Sequence, residues 1–91
     1  MKKRQALLMN LAERLELPQE ALAGAARLTV TGGRRALIEN HRGILEYGGE
    51  RIAVSTSQGR LIVSGAGLRL LAMNRHELLI GGAVQDVEWD A

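Results

Sequence analysis

Cysteine is absent from the 91-residue chain. Disulfides and thiolate metal sites are thereby excluded, and the redox compartment stays open. Phenylalanine is absent too, and Tyr47 and Trp89 are the only aromatic residues. The core must be built from Leu, Ile, Val and Ala, with less buried area per residue than aromatic rings provide. At this length such a core is modest, so part of the stability is expected from self-association or a partner. No apolar run approaches the roughly 20 residues of a membrane-spanning helix. The formal net charge of +2 is too mild by itself to argue for nucleic acid. The start, Met1-Lys2-Lys3-Arg4, is basic like a signal peptide, but Asn10, Glu13, Arg14 and Glu16 interrupt the apolar stretch that would have to follow. The expectation is an intracellular, soluble single domain with an appendage, with peripheral membrane attachment left open.

The appendage reads as a helix over residues 3–16. Leu7, Leu11 and Leu15 recur at i, i+4 and i+8, and Leu8 widens the stripe. Pro18 ends it, because the residue before proline is pushed out of the helical region. Lys2, Lys3 and Arg4 at the start and Glu13 and Glu16 near the end oppose the helix dipole. The leucine stripe therefore needs a surface: its own β domain, a partner or lipid. Leu7, Leu8, Leu11 and Leu15 are the candidate interface.

From Arg27 onward the period changes from 3.6 to 2. Strands are expected over residues 28–31, 35–40, 43–47, 51–56, 60–64, 68–72, 77–80 and 84–89, separated by glycine-rich turns. The division is a helical segment over residues 1–24 and a β domain over residues 25–91. The fold class is mainly β: an N-terminal helix, then an antiparallel meander or sandwich-like domain of about seven short strands. A β-solenoid is the alternative, because glycine-punctuated strands also stack as coils. Two runs, Leu61-Ile62-Val63 and Leu78-Leu79-Ile80, place apolar side chains on both faces of their strands, where a half-exposed sheet should alternate.

The chain is organised around residues 36–47. Leu37 and Ile38 enter this stretch, Glu39, Asn40, His41 and Arg42 follow, and Gly43 precedes Ile44 and Leu45. The simplest reading is a β-hairpin with Asn40 and His41 in the tight part and Gly43 at positive φ. Carboxylate, imidazole and guanidinium together could serve acid–base chemistry. Alternation along a strand would instead scatter Glu39 and His41 from Asn40 and Arg42. No serine with a paired base is present, so no catalytic residue is assigned. His41 and His76 are the only histidines, and no carboxylate pattern resembles a metal-ligand loop. The glycines make no phosphate-binding fingerprint. Neither a metal nor a cofactor is expected. Arg34, Arg35, Arg42, Arg51, Arg60, Arg69 and Arg75 lack the interleaved aromatics of a nucleic-acid-binding sheet face and read as a solvated rim of charge.

The stretch Ile38-Glu39-Asn40-His41-Arg42-Gly43-Ile44-Leu45-Glu46-Tyr47 resembles the signature of the YabP/YqfC sporulation protein family, and its YqfC branch most closely. The resemblance continues in Leu17-Pro18, in residues 56–65 with Leu68, in Leu79-Ile80-Gly81-Gly82 and in residues 84–87. It spans nearly the whole chain and departs at Ala72-Met73-Asn74-Arg75. It implies a small protein of endospore formation that is not an enzyme. It also implies action on the mother-cell side, cytoplasmic or peripheral at the forespore membrane or the coat and cortex layers. A sporulation membrane protein is implied as partner, and no small-molecule substrate. No catalytic or cofactor residue carries over, and Glu39, Asn40, His41, Arg42 and Gly43 are read as a structural turn.

Three functions follow as expectations. A structural or assembly protein of sporulation, homo-oligomeric and acting through protein–protein contacts, ranks first. A small β-module binding nucleic acid is the alternative, marked by steeply salt-dependent binding. An enzyme using Glu39 and His41 ranks last.

Overall fold

The computed structural model describes residues 24–90. The helix expected over residues 3–16, with Leu7, Leu8, Leu11 and Leu15, lies outside the described residues. The described part is built of strands: β1 (Arg27–Thr31), β2 (Arg35–Glu39), β3 (Ile44–Tyr47), β4 (Arg51–Thr56), β5 (Gly59–Met73) and β6 (Glu77–Asp90). They form one sheet in the order β1-β2-β6-β5-β4-β3. Every neighbouring pair is antiparallel. The mainly β, antiparallel expectation holds, and the solenoid falls, because its coils stack strands in parallel.

Two expected breaks are not turns. Gly65-Ala66-Gly67 lies inside β5, which runs for 15 residues, and Gly81-Gly82 lies inside β6, which runs for 14. The β5–β6 register shifts between Ser64 and Gly65, and again between Ala66 and Arg69. These are bulges, which bend a strand without ending it. Glycine is needed at the bend because the backbones close in: a Cβ on Gly65 would collide with the Ala83 carbonyl oxygen. Glycine alone does not tell a turn from a bulge, which is why the sequence suggested more and shorter strands.

The bend gives each long strand two sets of neighbours. The first part of β5 pairs with β4, while residues 77–81 of β6 pair with β2. The bent sheet closes on one cluster: Ala36 and Ile38 of β2, Ile52 and Val54 of β4, Leu61, Val63 and Leu68 of β5, and Leu78 and Ile80 of β6. Each Val, Leu or Ile among them contributes roughly 1.5–3 kcal/mol on burial. In β4, Ile52, Val54 and Thr56 are buried on the cluster face, and Ala53 on the opposite face is buried as well.

The two runs without alternation behave differently. Ile62 lies beside Ala53 and Glu88 on the face turned away from the cluster, yet it is only 4% exposed and Ala53 only 1%. Leu79, between the buried Leu78 and Ile80, is half-buried beside Leu37 on the outer face of β6 and β2.

The hairpin expected across residues 40–43 is also overturned. β2 pairs with β1 and β6, whereas β3 pairs with β4. Residues 40–43 therefore cross from β2, which lies inside the edge strand β1, to β3 at the opposite edge. Local turn chemistry is the same for a hairpin and a crossover, and the partner choice is made by strands far along the chain.

Candidate functional site

The crossover is a polar clasp. Asn40 has φ 62, the left-handed conformation that asparagine tolerates better than most side chains. Its N–H donates to the His76 carbonyl at 2.6 Å, and the His41 N–H donates to the same oxygen at 3.3 Å. On the far side, the Arg42 N–H donates to the Ser55 carbonyl at 2.7 Å, and the Ser55 N–H donates to the Gly43 carbonyl at 2.8 Å. Gly43 has φ 120, a region open to glycine. Four backbone bonds thus tie the crossover to the β5–β6 turn on one side and to β4 on the other.

His41 fills the space between, at 7% exposure. The Gly43 N–H donates to its Nδ1 at 3.0 Å, so that nitrogen holds a lone pair. Nε2 then carries the proton and donates to the Asn74 carbonyl at 2.9 Å. Both ring nitrogens have backbone partners. The Glu39 carboxylate pairs with Arg27 at 3.9 Å. The arrangement does not bring Glu39 onto the imidazole. The Arg42 side chain is exposed, and only its backbone joins the clasp.

A second polar group holds the start of the domain. The Asn40 Nδ2 donates to the Ala25 carbonyl at 3.0 Å, the Ser57 hydroxyl donates to the Gly24 carbonyl at 3.0 Å, and the Ala26 N–H donates to the Gln58 Oε1 at 2.9 Å. Thr56 orders that turn: its hydroxyl donates to the Gly59 carbonyl at 2.7 Å and accepts the Gln58 N–H at 3.1 Å. Two of the stretches that carried the family resemblance, around residues 39–43 and 56–59, thus hold Gly24, Ala25 and Ala26 between them.

Asn74 is the member of the site that sequence reasoning missed. Its Oδ1 accepts the N–H groups of His76 at 2.8 Å and Glu77 at 2.7 Å, and its own N–H donates to the Glu77 carbonyl at 2.8 Å. This is an Asx turn, and an Asn followed by a short polar loop and a strand was its signal. Among the described residues, no three His, Asp or Glu side chains gather as metal ligands would.

The family model that matches the chain is that of the YabP family, and it covers residues 23–91. The chain belongs to this family. The uncharacterized protein YqfC of Bacillus subtilis (strain 168) is 30% identical over 79 residues, which cover 87% of this chain and 85% of that protein. No solved structure matches. The YabP/YqfC family is associated with sporulation, so the resemblance read from residues 38–47 is upheld. The clasp lies within the matched residues 23–91.

Proposed function

We propose that this protein is a non-enzymatic assembly factor of endospore formation. It works on the mother-cell side, at the forespore membrane or the coat and cortex, through contacts with other proteins. The observation that carries this reading is the occupation of His41: both ring nitrogens bind backbone, so the one buried histidine of the signature is committed to holding the crossover. The outer face of β2 and β6 supports it further. Leu37 and Leu79 lie side by side there, with Leu71 of β5 nearby and 38% exposed. An apolar group of this kind on a small domain suits a protein partner, and the partners we propose are a second copy of the chain and a sporulation membrane protein.

The test is complementation in an endospore-forming host that lacks its own copy, with folding of each purified variant followed by circular dichroism. His41→Gln should restore heat-resistant spores wherever it folds. Leu71→Asp should fold and fail to restore them. A folded His41→Gln protein that fails to support sporulation would return a chemical role to the signature. Static light scattering of the wild-type chain should give a mass above that of a monomer, and a monomer at high concentration removes self-association.

A further inference from the structure

Arginines on this domain fall into two groups. Arg27, Arg51 and Arg60 each face a carboxylate, of Glu39, Glu46 and Asp90 respectively. Arg34, Arg35, Arg42, Arg69 and Arg75 have no carboxylate partner among the described residues. Of these five, Arg34, Arg35 and Arg69 line one open pocket of about 340 Å³ with Gly67, Gly81 and Gly82, and no acidic residue lines it.

The register explains the convergence. Arg35 of β2 lies opposite Gly81 of β6, and Gly81 lies opposite Arg69 of β5. Residues opposite one another on neighbouring strands share a face. Two arginines therefore flank a position that has no side chain of its own. Arg34 arrives from the β1–β2 turn. That turn is fixed by the Arg34 N–H donating to the Thr31 carbonyl at 3.1 Å and by the Val84 N–H donating to the Gly33 carbonyl at 2.8 Å. The scaffold beneath all three arginines is thus anchored to β6.

Three like charges around one cavity repel each other, and no carboxylate offsets them. An oxyanion placed there relieves that repulsion and accepts forked, charge-assisted hydrogen bonds. We propose that the pocket of Arg34, Arg35 and Arg69 binds the phosphate group of an anionic ligand. Two sources offer that chemistry, free phosphate and an anionic lipid headgroup. Leu71, whose side chain lies over Gly81, gives the second source an apolar neighbour.

The experiment uses the full chain in two arms. In the first, amide NMR spectra are recorded while inorganic phosphate is added. In the second, the protein is sedimented with vesicles of phosphatidylglycerol in phosphatidylcholine, and with phosphatidylcholine alone. The proposal expects a saturating response at Arg35, Gly67, Gly81 and Gly82, or sedimentation that requires the anionic lipid. Arg35→Gln with Arg69→Gln should weaken the response by about tenfold or more. The pair Arg51→Gln with Arg75→Gln, which removes the same charge elsewhere, should leave it unchanged. Ala66→Glu, which places a carboxylate at the pocket wall, should abolish it, and decides the matter if the double arginine variant does not fold. Phosphate binding without vesicle binding identifies a free anion, and the reverse identifies a headgroup. No saturating response in either arm overturns the site, as does an equal loss in the two arginine pairs.

Discussion

His41 and Asn74, 33 residues apart in the chain, are joined by a hydrogen bond of 2.9 Å from the imidazole to a backbone carbonyl. The same ring accepts the Gly43 N–H on its other side. Removing the ring leaves the Gly43 N–H and the Asn74 carbonyl without these partners at a part-buried site, and each costs up to about 1–3 kcal/mol. His41→Ala should therefore lower unfolding stability by about 2–4 kcal/mol, whereas His41→Gln, which keeps a donor, should lose about half as much. Urea denaturation followed by circular dichroism measures both. A His41→Ala protein as stable as the wild type would show that the clasp is held without its ring.

Gly43 tests the backbone of the crossover. At φ 120 a β-branched residue is strained, and Gly43→Val should cost more than about 1 kcal/mol. A Cβ there meets nothing within 4 Å, so any loss is conformational and not steric. An unchanged melting temperature would mean the crossover relaxes to another path.

Gly65 and Gly49 form a contrasting pair. A Cβ on Gly65 runs into the Ala83 carbonyl, while one on Gly49 meets open space. Gly65→Ala should destabilise by about 1–3 kcal/mol or more through overpacking at the bend. Gly49→Ala should be neutral or stabilising by about 0.4–1 kcal/mol, because it restricts the unfolded chain. Equal effects in thermal melts would refute the close approach of β5 and β6 at the bend.

Tyr47 offers a milder test. Its hydroxyl accepts the Leu70 N–H at 3.0 Å, tying the edge strand β3 to the second half of β5. Tyr47→Phe should cost about 0.5–1.5 kcal/mol, and hydrogen exchange at the Leu70 amide should speed up. Unaltered exchange at Leu70 would mean that this bond does not protect the amide.

What could be read in the sequence follows from what local chemistry encodes. The strand over residues 51–56 was legible as a strand, because the period of two fixes side-chain direction along it. The positive φ of Gly43 was equally legible. Partner choice was not. Whether Asn40–Gly43 closes a hairpin or carries the chain across depends on β2 finding β6, nearly forty residues away, and no local signal reports that pairing. The glycines of residues 65–67 and 81–82 misled for a related reason, since a bulge and a turn ask for the same residue. The arginine pocket was hidden because Arg35 and Arg69 become neighbours only through the shared partner Gly81.

The strand order has a kinetic consequence. β3, β4, β5 and β6 are neighbours both along the chain and across the sheet, so each new pairing closes only a short loop. The β2–β6 pairing alone joins distant segments, and its entropy must be met before its contacts form. On this ground the meander is expected to form first and the β1–β2 ribbon to join a sheet already built. Shortening Val63, in the early part, should slow refolding, whereas shortening Ile38, in the late part, should chiefly hasten unfolding. In that order the seam where Arg35 meets Gly81 closes last, so the pocket of Arg34, Arg35 and Arg69 is complete only once β2 has joined β6.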